Sequence, residues 1–569
     1  MLPSIETVRR TVRNLLIAAL AAGAALAVTS CTPKPAQRAP CPAGAVCLQM
    51  GNAAEPISLD PHKTTGTWEH RILLDNLIGL TQVAADASAI PGMAERWTTS
   101  PDGLTWTFYL RDAVWSDGVP VTADDFVYSF RRILLPSTAS EYASLLFLLK
   151  GAQPIADGKA PPESLGVTAL SPKILEIKLE HPAPYLPQLA THQTMMPVPR
   201  HVVEKWGEAW SQPAHYVSNG PYRIVAWRLG DYVKEVKNPR FYEADKVCVD
   251  AVYFYPTSDA VSAERRVKRG ELDLNSDIQS NRIAFLKTQM PGYVRTHTYL
   301  GVSYLAFNTH VPAFQDKRVR MALNMAIDRD FITGKLLRGG QTPAYTFIPP
   351  GVAGYVSPPK PAWASWTLEQ RQAEARRLLA EAGYGPKHPL KIEIKHRNTP
   401  DPSLVMPAIQ ADWKTIGVDA SLQQNETQIA YAAYRSRDFQ VADAAWIADY
   451  NDPISFLYLM MSSTGSQNYG DYRSAVFDGL VAKSDAEPDA RKRAAYLAQA
   501  ETTMLNDATV APTFFYVNKN LVNPNITGFV DNLVDWHPTR FMCVKGHSAA
   551  VTSQALKTLT SGAPATPQS

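Results

Sequence analysis

Leu104-Thr105-Trp106-Thr107-Phe108-Tyr109-Leu110, followed by Trp115-Ser116-Asp117-Gly118-Val119-Pro120-Val121-Thr122-Ala123-Asp124-Asp125-Phe126, is the stretch on which the reading of the fold turns. Apolar side chains at 104, 106, 108 and 110 have the two-residue period of a strand with one buried face. Thr122 then opens a helix, with Asp125 three residues on as its capping-box partner. Phe126, Phe130, Ile133 and Leu134 form the buried stripe of that helix. Asp124 and Asp125 stand at its start, where the helix dipole favours negative charge. They therefore read as structural, not as an acid–base pair.

The same alternation of strand and helix returns further along. A helix begins near Asp316, with Val319, Leu323, Ala326 and Ile327 on its apolar face. Thr367 with Gln370 opens another, and Gly383 closes it. Leu390, Ile392 and Ile394 alternate as a strand, Asp401-Pro402 starts a helix, and Val418–Leu422 is the next strand. From about residue 300 to residue 500 this is the pattern of an α/β sheet. No internal repeat is evident.

The chain has 569 residues, enough for about three to four domains at roughly 150 residues each. Hydrophobic residues make up 45%, which excludes a disordered chain. Lys+Arg number 56 against 53 Asp+Glu, so no basic excess points to nucleic acid as a partner.

The N-terminus reads as an address. Arg9, Arg10 and Arg13 precede the apolar run Leu15–Val28, which is shorter than the ~20 residues a bilayer span needs. Residues 1–30 are thus expected to be a secretory signal peptide. Leu26-Ala27-Val28-Thr29-Ser30-Cys31 resembles a bacterial lipobox, which would lipidate Cys31. Residues 31–46, rich in Pro, Ala and Gly, are expected to tether the anchor flexibly to the folded part. Residues 546–569 read as a disordered tail. Cys41, Cys47, Cys248 and Cys543 remain, an even number that suits two disulfides in an oxidising compartment. Three pairings are open.

No short catalytic signature is present: neither G-x-S-x-G, nor G-x-G-x-x-G, nor a Walker loop, nor H-E-x-x-H. No metal-ligand spacing appears, and no metal or cofactor is expected. An exported, nearly neutral α/β chain of this kind reads as a binding protein; an exported hydrolase is the rival class.

Three segments add a resemblance. The first is Ala94-Glu95-Arg96-Trp97, continuing through Ser100–Phe108 to Trp115–Phe126. The second is Phe307-Asn308-Thr309 with Phe314–Arg320 and Ala326-Ile327-Asp328-Arg329. The third is Trp446-Ile447-Ala448-Asp449-Tyr450-Asn451-Asp452-Pro453 with Phe456-Leu457. Together they closely resemble the bacterial family 5 extracellular solute-binding proteins, and the third resembles the oligopeptide-binding branch. The resemblance implies the α/β, two-lobed periplasmic binding protein fold (type II, large three-domain variant), closing on its ligand. It implies a discontinuous first domain (47–77, 200–300 and 510–545), a second at 78–199 and a third at 301–509. It further implies a monomeric receptor in the periplasm that passes oligopeptides to an ABC permease. Other solutes, such as a murein peptide, a glycan or a metal chelate, remain alternatives within the same fold.

Carried over position by position, the resemblance implies that Thr65-Gly66-Thr67 and Ala445-Trp446-Ile447 meet the peptide backbone, with Tyr142 also in contact. Asp449 is implied as the partner of the ligand's α-ammonium. There are departures. Gly301 and Ile447 stand where some relatives bridge two cysteines. Leu337, Ser403 and Asp443 stand where relatives carry basic groups for the ligand carboxylate. The expectation is either a longer ligand or one with a cationic group near Asp443. Amidating its C-terminus should then change affinity by less than about tenfold, roughly 1.4 kcal/mol. The preferred cysteine pairing is Cys41–Cys47 with Cys248–Cys543.

The lipobox reading is directly testable by fractionating cells that express the Cys31→Ser variant. The substitution should move the protein from the membrane fraction to the soluble fraction; undiminished membrane association would rule lipidation out.

Overall fold

The computed structural model describes residues 38–547 except 277, 357, 359 and 488. The signal sequence, Cys31 and nearly all of the 546–569 tail lie outside the described residues. Among those described, no helix is long and apolar enough to cross a membrane.

The opening stretch folds as its pattern dictates. Thr105–Leu110 is a strand whose alternate residues are buried, and Ala123–Leu134 is the helix. The Asp125 carboxylate accepts the backbone N–H of Thr122 at 2.9 Å. Thr105–Leu110 lies inside a small antiparallel sheet in the order Ala94–Thr99, Thr105–Leu110, Ile174–Lys178, Val167–Ser171. The later elements also hold. Thr367 and Gln370 exchange the two bonds of a capping box at 2.9 and 3.3 Å. Gly383 takes a left-handed φ of +92° just past the helix end.

A second, 11-stranded sheet runs through the molecule. At one end lie Val418–Asn425, Leu390–Arg397 and Val441–Ile447; at the other lie Leu274–Ser276, Cys47–Gly51, Ala251–Tyr255, Tyr232–Lys237 and Tyr222–Arg228. Two long strands, Val294–Phe307 and Val510–Val522, join the halves. Their pairing breaks register between Thr298 and Val302, opposite Val517 and Phe515. An irregularity of this kind bends and twists a strand pair, so the sheet turns where its two halves meet.

Many residues of the three recognised segments are structural. Trp115 is fully buried. Asn308 donates to the carbonyls of Arg437 and Phe439 at 3.0 and 2.8 Å. Asp316 accepts the N–H of Arg318 at 2.8 Å. Arg329 is buried yet donates to the carbonyls of Ala344, Pro512 and Asn324 at 2.9–3.0 Å. Burial lowers its pKa to about 9.

Both disulfides, Cys41–Cys47 and Cys248–Cys543, are closed. The first bears on the 41–46 end of the expected flexible tether; residues 31–37 lie outside the described residues. Cys41 is tied to the first strand, and Val46 is buried, with its N–H on the Asp250 carboxylate at 2.9 Å. Free tether therefore cannot extend beyond Cys41. At the other end, His547 N donates to the Val544 carbonyl at 3.0 Å, just past the expected domain end.

Candidate ligand cleft

A cavity of about 830 Å³ lies between the two halves, within the size range of small-molecule pockets. All eight sequence-assigned residues reach its wall: Thr65, Gly66, Thr67, Tyr142, Ala445, Trp446, Ile447 and Asp449.

The Thr65–Thr67 wall is held by a buried ion pair just upstream. Arg132 forks onto Asp60 at 2.6 and 3.1 Å, and Trp210 Nε1 donates to the same carboxylate at 3.0 Å. Burial alone would raise the Asp60 pKa, but Arg132 and its neighbours hold it below the ordinary value. Gln193 Nε2 donates to the Thr64 carbonyl at 2.7 Å, fixing the next step. Gly66 then caps the helix Thr67–Asn76 in an extended conformation. A side chain there would collide with Glu69 Oε2 and the Trp68 ring, so the close approach requires glycine.

The opposite wall is a strand edge. Val441–Ile447 pairs with Val294–Phe307 along its length, but pairs with Leu390–Arg397 only through Val441 and Ala442. From Asp443 to Ile447 the second edge has no strand partner among the described residues. Such an edge can accept an extended chain through backbone hydrogen bonds. Gly301 lies directly opposite Ile447, and a Cβ on it would collide with Ile447 Cδ1. Isoleucine thus fills the room that glycine leaves, at the two positions where some relatives bridge cysteines.

Asp449 is 7% exposed and closes one end of this edge. Its N–H donates to Ser455 Oγ at 2.9 Å, and Tyr142 donates its hydroxyl to Oδ1 at 3.3 Å. Oδ2 is buried with no hydrogen-bond partner among the described residues. Burial pushes the carboxyl up to about 8. His192 Nε2 lies 3.6 Å from Oδ1, but burial, and then neighbouring His70, lower the His192 pKa well below its ordinary value. The contact is therefore no ion pair, and it is too long for a hydrogen bond.

His70, which the sequence reading missed, belongs to the same place. It stacks on His192 with ring centroids 5.2 Å apart. Gln193 uses its amide N–H on Thr64, so its Oε1 accepts from His70 Nδ1 at 2.9 Å. Burial lowers the His70 pKa to about 4, which leaves the ring neutral and Nε2 an acceptor. That atom, like Asp449 Oδ2, is buried without a partner. The cleft wall thus carries two unpartnered buried acceptors, and the Asp449 oxygen is the one suited to a cationic donor.

The three positions expected to face a ligand carboxylate do not reach the cavity wall. Leu337 is buried in an apolar cluster. Ser403 donates to the Thr399 carbonyl at 2.9 Å. Asp443 is buried and gripped by Arg397 at 2.9 and 3.2 Å. This corrects the expectation that Asp443 either repels a carboxylate or attracts a ligand cation, because Arg397 already neutralises it. Arg397, Arg435, Lys519 and Arg71, absent from the sequence reading, also line the cavity. Among the described residues no cluster of His, Cys, Asp and Glu is arranged to hold a metal.

The two-lobed α/β fold and this cleft define a periplasmic-type binding protein. The chain matches the family described as bacterial extracellular solute-binding proteins, family 5, over residues 88–468, and it belongs to that family. It is 37% identical over 487 residues to the periplasmic oligopeptide-binding protein OppA of Escherichia coli (strain K12), covering 85% of this chain and 89% of that one. The crystal structure of Haemophilus influenzae OppA in complex with RPPGFSPFR superposes with a TM-score of 0.84 at 34% identity, covering 88% of this chain and 99% of that one. Against the murein tripeptide-binding protein MppA in its unliganded open form the TM-score is 0.66, at 34% identity and covering 88% of this chain and 99% of that one. The lobes therefore stand nearer to their arrangement in the peptide-bound relative than to that of the open form.

The raised pKa of Asp449 has a signed consequence for stability. The folded protein keeps a proton that the unfolded chain releases near pH 4, so this residue costs nothing below that pH. Its cost grows from there to about pH 8 and is constant above. Asp449→Asn removes the cost. In denaturant unfolding of ligand-free protein, the stability of the variant relative to wild type should rise with pH by up to about 1.4 kcal/mol per unit over that window. A difference independent of pH would contradict the assignment.

Proposed function

We propose that this protein is an exported, non-catalytic receptor that captures oligopeptides in its cleft and delivers them to the permease of an ABC importer. The observation that carries the reading is the buried Asp449 carboxylate, with its unpartnered Oδ2, at the end of an unpaired strand edge. A peptide with a free amino terminus supplies what both features lack: an ammonium for Asp449, and a backbone for Ala445–Ile447 and Thr65–Thr67. The relatives named oligopeptide-binding proteins support the same choice of solute.

The receptor works as a monomer without a cofactor, in the periplasm, held to a membrane by lipid on Cys31. Its three domains are 47–77 with 200–300 and 510–545, then 78–199, then 301–509; the small antiparallel sheet falls wholly within the second. The register break at Thr298–Val302 is the natural hinge. Tyr142 and Asp449 belong to different domains and meet at 3.3 Å, so a ligand cation that binds between them favours the closed state.

Isothermal calorimetry with matched free and N-acetylated peptides tests the reading. Losing one partner of a buried charged pair costs about 2–5 kcal/mol, or roughly 30- to 5000-fold in affinity. Acetylation should weaken wild-type binding by that factor, and Asp449→Asn should nearly abolish the difference. Equal wild-type affinity for both forms would overturn the proposal.

A further inference from the structure

The cleft's cations can be sorted by what neutralises them. Arg397 is matched by Asp443 at 2.9 Å, Arg435 by Glu141 at 2.8 Å, and Lys519 by Asp401 at 2.8 Å. Arg71 is the exception. Its Nη1 donates to the neutral Oδ1 of Asn52 at 2.8 Å, and no carboxylate among the described residues lies within ion-pair distance of it. Asn52 is itself fixed, giving its side-chain N–H to the Trp68 carbonyl at 2.9 Å and its backbone N–H to that of Tyr255 at 2.8 Å. Two acids stand near Arg71 in sequence on this wall: Glu69 accepts the N–H of Ile57 at 3.1 Å and burial pushes its carboxyl up to about 7, while Glu55 is occupied by Trp227 Nε1 at 2.7 Å and the N–H of Gly230 at 3.1 Å.

Position agrees with charge. Arg71 lies four residues beyond Thr67, on the same helix face, so it continues the wall that Thr65–Thr67 begins. The neighbouring lining residues Ala53, Pro256 and Thr257 follow the carboxyl ends of the parallel strands Cys47–Gly51 and Ala251–Tyr255. Ligands of open α/β sheets bind outside such ends.

We propose that Arg71 receives the carboxylate of the bound peptide and makes the cleft select ligands with a free C-terminus. The proposal rests on the oligopeptide reading above. With Asp449, Arg71 offers each end of a zwitterion a charge of opposite sign, and its guanidinium stands close enough to His70 to help keep that ring neutral. One guanidinium N–H is spent on Asn52; the others form a fork that fits a carboxylate in bidentate fashion. This reverses the expectation drawn from Leu337, Ser403 and Asp443, because the cation comes from a helix those positions do not touch.

The test is calorimetry on ligand-free protein with tri-, tetra- and pentaalanine, each as acid, C-terminal amide and N-acetyl form. At the best-bound length, amidation should weaken wild-type binding more than tenfold. Arg71→Gln should lower acid binding to the level of the amide and leave amide binding unchanged; Arg71→Lys should keep part of the preference. An acid-to-amide ratio below tenfold in wild type overturns the proposal, as does a preference that survives Arg71→Gln or an equal loss of both forms. If acetylation weakens wild-type binding but amidation does not, the oligopeptide reading stands and Arg71 loses its role. If none of the alanine peptides binds, both fall.

Discussion

A carboxylate shut into a closed cleft without a cation is the constraint around which this molecule is arranged. Leaving Asp449 ionised and unpaired there costs several kcal/mol. Two remedies exist: a proton, which the raised pKa of about 8 describes, or a ligand cation. The surroundings favour the second. Tyr142 stabilises one oxygen, and both nearby histidines are kept neutral by burial. His70 Nε2 is a further buried acceptor without a partner among the described residues. The cleft is thus built to be completed by a donor that carries charge.

The fold delivers that arrangement by letting one sheet pass through both lobes. Its long strands change register where the lobes meet, and its Asp443–Ile447 edge is left unpaired. The remaining charge in the wall is largely internal. Arg397, Arg435 and Lys519 each bring their own carboxylate, so most of the cleft presents hydrogen-bonding groups with little net charge. A site of that kind discriminates by the ends of its ligand more than by side chains.

Local structure was legible in the sequence because its causes are local. The Thr122–Asp125 and Thr367–Gln370 caps, the alternation at 104–110 and the Gly383 stop each depend on a few adjacent residues. The eight cleft residues were legible through family resemblance, and all of them reach one cavity. What stayed hidden depends on contacts between distant segments. His192 approaches Asp449, and Arg397 pairs with Asp443 across neighbouring strands; no spacing announces either contact. The 41–46 end of the expected tether differs because proline- and glycine-rich composition says nothing of a disulfide that pins Cys41. Much of the family signature serves caps and buried arginines, so it identifies the fold more strongly than the ligand.

The most direct test of the account is mass spectrometry of the small molecules released on denaturing protein purified from the compartment to which it is exported. The account predicts a mixture of short peptides with free amino termini, present at about one per protein molecule. A single non-peptidic solute, or peptides blocked at the amino end, would contradict it.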